Sequence, residues 1–90
     1  MTFGQRIKRL RLSKNFSQFA MHLDTGIAQV TIAHWERDHF IPSLPSVLKL
    51  CEHFGLTFEE LMEGVEIDGF EIHSDGSISR SNDLTDSLYR

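Results

Sequence analysis

The run TGIAQVTIAHWERD, Thr25 to Asp38, decides the fold of this chain. A lone glycine precedes eight residues with almost no charge, and a Trp-Glu-Arg cluster closes the run. Gly26 supplies a turn. Ala28 to Arg37 then reads as a helix with Val30 or Ile32 and Trp35 facing inward. Just upstream, Asn15 tolerates a left-handed backbone and can end one helix, while Ser17 can cap another over Gln18 to about Asp24.

Outward from that centre the punctuation is regular. Thr2 and Gln5 form a capping box for a first helix that carries Phe3, Ile7 and Leu10 as its apolar stripe and runs to about Ser13. Ser43 caps a fourth helix with Pro45 in its first turn, where a missing N–H costs little. Val47, Leu48, Cys51 and Phe54 mark its expected buried face, and Gly55 closes it. Thr57 and Glu60 form a second capping box for a short fifth helix, Phe58 to Glu63, ended by Gly64. Met21, Phe19 and Leu23 read as further core residues.

The texture changes after Gly64. VEIDGFEIHSDGSIS alternates apolar and polar residues around two Asp-Gly pairs, a β-hairpin pattern. A turn at Asp68-Gly69 sets Glu66 against Glu71, a like-charge pair, whereas a loop at Ser74 to Gly76 sets Ile72 against Ile78. The second register is preferred, with strands at Phe70 to His73 and Ser77 to Arg80. The expected organisation is a mainly α domain of five helices over residues 1–64, a β-hairpin over 65–80 and a loosely ordered tail over 81–90.

Ninety residues suffice for one modest core. The formal charge of −4 conceals an asymmetry: residues 1–41 carry six Lys and Arg against three acids, whereas the rest carries three against ten. The first part is thus +3 and the second −7. A basic half suits a polyanion, although solvated helix faces give the same count. Cys51 is the only cysteine, which rules out an intrachain disulfide and makes a thiolate zinc site unexpected. His53 falls on a different helix face from Cys51, so no metal and no cofactor are expected. No segment is apolar and long enough for a bilayer span or signal sequence, and a cytoplasmic protein is expected. Phosphate-cradling glycine loops, zinc-binding HExxH pairs and nucleophile elbows are absent, so an enzyme is not expected.

Two short helices joined by a glycine turn, the second nearly free of charge, match the helix-turn-helix that enters the DNA major groove. From FGQRIKRLR through FSQ, TGIAQVTIAHWERD and IPSLPSVLKLCEHFGLTFEELME, the sequence resembles the Cro/CI-type (lambda-repressor-like, Xre) helix-turn-helix domain. Gln18, Gly26, Ile32, Trp35, Glu36, Pro42, Leu50, Gly55 and Leu61 fall at the family spacing without a gap. The resemblance implies that Gln18 holds a DNA phosphate at the start of helix two. It places Ala28, Gln29, Val30, Ala33 and His34 on the reading face of helix three, with Gln29 able to bridge N6 and N7 of adenine. Arg37 and His39 follow in the loop where relatives grip the backbone. Arg11 and Glu36 are implied as a structural pair.

The implied function is a sequence-specific regulator of transcription, a repressor, bound to double-stranded DNA as a homodimer on a palindromic operator. Phe70, Ile72 and Ile78 are candidate dimerisation residues, with helix five as the competing site. The alternative is a protein-binding module on the same scaffold, with its partner on the acidic C-terminal half. Departures from the family pattern are local. His22 stands at a usual alanine and Thr25 at a usual leucine. Phe19 and Leu23 stand where charges are common, so helix two is rotated or these two meet a partner or the hairpin. Asp38 replaces a glycine and puts a negative charge near the expected phosphates.

Overall fold

The computed structural model describes residues 1–80; the tail expected over 81–90 lies outside them. Five helices are followed by a small antiparallel sheet: α1 Phe3–Ser13, α2 Gln18–Thr25, α3 Gln29–Glu36, α4 Leu44–Phe54, α5 Phe58–Leu61, then β1 Glu66–Ile67, β2 Phe70–Ile72 and β3 Ile78–Arg80. This is the mainly α, five-helix arrangement expected from the sequence, followed by the sheet.

Local chemistry accounts for the helix ends. At α1 the Thr2 hydroxyl accepts from the Gln5 amide and the Gln5 side chain accepts from Thr2 N, which satisfies two orphan donors reciprocally. Thr57 and Glu60 do the same at α5. Hydrogen bonds from the Thr57 backbone and side chain hold the Glu60 carboxyl below the ordinary carboxylate range. The contribution of this box is therefore present at neutral pH and lost as the pH falls through that range. α2 and α4 end at Gly26 and Gly55, both left-handed, with φ of 75° and 67°.

The core is a single cluster in which α1 contributes Phe3 and Ile7, α2 Met21, α3 Ile32 and Trp35, and α4 Val47, Leu50 and Phe54. Ile32 rather than Val30 takes the inward place on α3; Val30 is exposed. Three other expectations fail on helical phase. Leu50 is buried and Leu48 exposed, because Leu50 lies with Val47 and Phe54 on one stripe of α4 and Leu48 does not. Phe19 and Leu23 are outside the core, 53% and 67% exposed, because Met21 sets the inward direction of α2 and these two lie one turn apart on the other side. Helix two is thus not rotated to bury them.

The expected two-stranded hairpin is a three-stranded meander of order β1-β2-β3. The two registers read as competitors are both present. β1 pairs with β2 through Glu66 opposite Glu71, and β2 with β3 through Ile72 opposite Ile78. Asp68 and Gly69, with φ of 51° and 83°, make the first turn, the left-handed pair that a two-residue hairpin favours. Repulsion between Glu66 and Glu71 is offset by the N-terminal ammonium, which lies 3.4 Å from Glu66, and His73 Nδ1 lies 3.6 Å from Glu71. Met1 also lines the outer edge of β1: its ammonium donates to Gly64 O and its carbonyl accepts from Glu66 N.

Candidate nucleic-acid interface

The turn between α2 and α3 is braced by side chains. Thr25 Oγ1 donates to Met21 O at 2.8 Å and accepts from Ile27 N at 3.1 Å. His22 Nδ1 donates to Ile27 O at 2.6 Å. His22 and Thr25, two of the four α2 residues that depart from the family pattern, therefore fasten the chain that leads into α3. Ile27 and Ile32, at the positions flanking the start of α3, are both buried, as a hydrophobic staple requires.

α3 begins without a side-chain cap. Ala28 occupies the N-cap and offers no acceptor, so the helix depends on packing rather than on local satisfaction. Ala28→Ser is expected to raise stability by about 1 kcal/mol, read as a shift of the urea midpoint. The residues that follow are on the surface: Ala28, Gln29 and Val30 are exposed, with Ala33 and His34 half-buried one turn on. This first turn carries one amide and otherwise only small or apolar groups. It can approach a base edge without bringing a charge.

Beyond α3 the chain turns at Asp38, where φ is 59°. Asp38 was expected to project negative charge toward phosphates. Instead its carboxylate accepts from Thr2 Oγ1 at 2.8 Å and from Gly4 N at 3.0 Å, at the positive end of the α1 dipole. Arg37 and His39 are exposed on this corner. His39 Nδ1 lies 3.0 Å from His34 Nδ1, and the His34 ring also packs on Phe40, so the corner is folded back along α3. One imidazole must donate and the other accept.

Beneath the surface, α1, α2 and α3 meet at an ion pair. Arg11 donates from Nε to Glu36 Oε2 at 2.7 Å and from Nη2 to Glu36 Oε1 at 2.9 Å. Its Nη1 donates to Phe16 O at 2.7 Å. The hydrogen bond to Glu36 holds the Arg11 guanidinium above its ordinary pKa, against the opposing effect of burial. Gln18 Nε2 completes the group, donating to Glu36 Oε1 at 3.2 Å. The side chain at the head of α2 is thereby fixed to the end of α3.

The basic half of the sequence is partly spent inside the fold. Arg6 donates to the Glu60 and Leu61 carbonyls of α5, and Lys14 to Phe54 O at the end of α4. Both neutralise helix C-termini. With Arg11 paired, the +3 count overstates the charge offered to a polyanion. Cys51 is half-buried, with its thiol pushed up by burial. Among the described residues no helix is long and apolar enough to cross a membrane, and no His, Cys, Asp and Glu group could hold a metal.

Similarity to known proteins places this geometry in a family. A family model described as a helix-turn-helix domain matches residues 4–67. The restriction-modification controller protein C.AhdI from Aeromonas hydrophila superposes with a TM-score of 0.62 at 32% identity, over 66% of this chain and 89% of that one. SinR, a master regulator of biofilm formation solved in complex with DNA, gives a TM-score of 0.65 at 25% identity, over 69% of this chain and 100% of that one. The HTH-type transcriptional activator BcrR of Enterococcus faecalis is 27% identical over 67 residues, 74% of this chain. The chain spans only a third of that relative's length. A surface helix held rigidly behind a glycine turn, in a fold shared with these regulators, leads to one conclusion: this chain belongs to the helix-turn-helix family of transcription regulators.

Proposed function

We propose that the chain is a sequence-specific transcriptional repressor that binds a palindromic operator as a homodimer, with α3 in the major groove. The observation that carries this reading is the exposed, uncharged first turn of α3 on a helix whose other face is locked by Ile32, Trp35 and the Arg11–Glu36 pair. Gln29 reads adenine through N6 and N7, and Ala28 or Val30 meets a thymine methyl. Ala33 and His34 line the same groove. Gln18, with one amide proton held by Glu36, presents the other to a phosphate at the head of α2. Arg37 and His39 hold the backbone beyond α3. The partial capture of basic charge within the fold makes base contacts a larger share of the affinity.

Binding to duplex DNA measured over a salt series tests this reading. Gln29→Ala should cost about 1 to 3 kcal/mol and relax preference at one base pair. Arg37→Ala should weaken all sequences alike and lower the salt slope by about one phosphate contact. A Gln29→Ala protein with unchanged affinity and preference would remove the reading at its centre. A genome-wide binding map with no enrichment at palindromic sites would count against the dimeric operator.

A further inference from the structure

Two imidazoles meet on the corner that leads out of α3. His34 is half-buried and His39 exposed, and their Nδ1 atoms lie 3.0 Å apart. At that distance a single hydrogen joins them, carried by one ring and accepted by the lone pair of the other. The ring centres stand 5.1 Å apart, and Phe40 packs on His34 at 5.3 Å. The His39 amide also donates to His34 O at 3.0 Å, so backbone and side chains fix the same closed corner.

What the pair lacks is an acid. The carboxylates around this corner are committed elsewhere: Glu36 accepts from Arg11 and Gln18, and Asp38 from Thr2 and Gly4. Glu66, which with Asp68 lines the groove beside Phe40, is paired with the N-terminal ammonium. Among the described residues no ion pair includes either imidazole. Arg37, exposed between them in sequence, adds a charge of the same sign. With both Nδ1 atoms protonated, two N–H groups would face each other and two cations would repel, and no group of the protein would balance them.

We infer that the His34–His39 pair is a proton-gated phosphate clamp, closed on itself while the rings share one hydrogen and opened, as two imidazolium cations, onto the DNA backbone when both are protonated. The inference rests on the proposed docking of α3 in the major groove and adds how that site is regulated. Beyond the end of a helix in the groove the nearest groups of the duplex are phosphates. An opposite charge within about 4 to 6 Å favours the charged form of a titratable group, so a phosphate supplies what the protein withholds. Each ring that opens also gains a charge-assisted hydrogen bond. The bound state therefore holds more protons than the free one, and binding takes them up. Affinity rises as the pH falls through the range in which imidazole changes charge, about pH 5 to 8. Arg37 adds nothing to this dependence, because a guanidinium keeps its charge throughout.

Binding of the full chain to a mixed-sequence duplex of about three helical turns, at fixed low salt from about pH 6 to about pH 8, tests the clamp. A mixed sequence suffices because phosphate contacts carry no sequence information. The wild type is expected to bind about tenfold tighter at the acid end, the linkage of one added proton. His39→Gln, whose amide can still bond His34 but takes up no proton, should lose most of that ratio. Arg37→Ala should bind more weakly at every pH and keep it. In the free wild type at about pH 8, imidazole ¹⁵N shifts should show one of the two rings protonated on Nδ1 and the other not. Wild-type affinity that is flat in pH overturns the inference and leaves the DNA reading in place, whereas no binding at any pH removes both. A ratio retained in His39→Gln also overturns it, since the protons then go to other groups such as His22 or His53. So do two rings that both carry their proton on Nε2, because no hydrogen then joins them.

Discussion

Glu36→Ala is expected to cost about 3 to 5 kcal/mol of stability, the measured range for removing one partner of a buried ion pair. A domain of this size holds about 5 to 15 kcal/mol in total, so the variant should be close to unfolding at physiological temperature. The side chains of Arg11 and Glu36 are 9% and 4% exposed, so the stranded guanidinium would have little water to replace its two carboxylate bonds. The effect also spreads. Glu36 Oε1 serves both Arg11 and Gln18, and its loss frees the head of α2 from the end of α3. Replacing both partners, Arg11→Met with Glu36→Leu, should recover much of the loss, because no buried charge is then left unpaired. Urea midpoints of the two single variants and the double variant check this. A Glu36→Ala midpoint within error of wild type would show that the pair holds nothing together.

That pair illustrates what the sequence makes legible. Helix starts rest on contacts within three residues, as with Thr2 and Gln5 or Thr57 and Glu60, and such contacts can be read directly. The glycine turn and the uncharged start of α3 are equally local. Helical phase is less secure. Leu48 and Leu50 are both apolar neighbours, and only the packing of α4 on the other helices decides which one is buried. Phe19 and Leu23 mislead for a related reason, since an apolar type does not state which side of a two-turn helix faces the core. In the sheet, charge alone points away from the β1–β2 register. Glu66 opposite Glu71 looks prohibitive until the N-terminal ammonium, 65 residues away, is placed beside it. Among the site residues, surface positions on α3 follow from the helix period. The anchoring of Gln18 by Glu36 and the inward turn of Asp38 depend on long-range contacts that leave no mark on spacing.

Gly4 carries the second large effect. A Cβ built on Gly4 would lie 2.3 Å from Trp35 O and 2.6 Å from Asp38 Oδ1, closer than side-chain carbons are found to other atoms. One of these neighbours is backbone at the end of α3 and already accepts from Asp38 N. The clash cannot be relieved by turning a flexible side chain. Gly4→Ala should therefore cost about 1 to 3 kcal/mol, the range for forcing extra volume into a packed site, and it should also break the Gly4 N to Asp38 bond. Asp38→Gly separates the two contributions. It removes the carboxylate from the α1 N-terminus but suits the left-handed backbone at this position, so its net cost should be smaller. The double variant should not be rescued, because Trp35 O remains in the way. The same displacement moves the end of α3 relative to α1, so duplex DNA affinity should fall in Gly4→Ala even at temperatures where circular dichroism shows it fully folded. If Asp38→Gly restored the midpoint of Gly4→Ala to wild type, the carboxylate alone would be the obstacle, and the close approach of α1 to the α3 backbone would have no energetic weight.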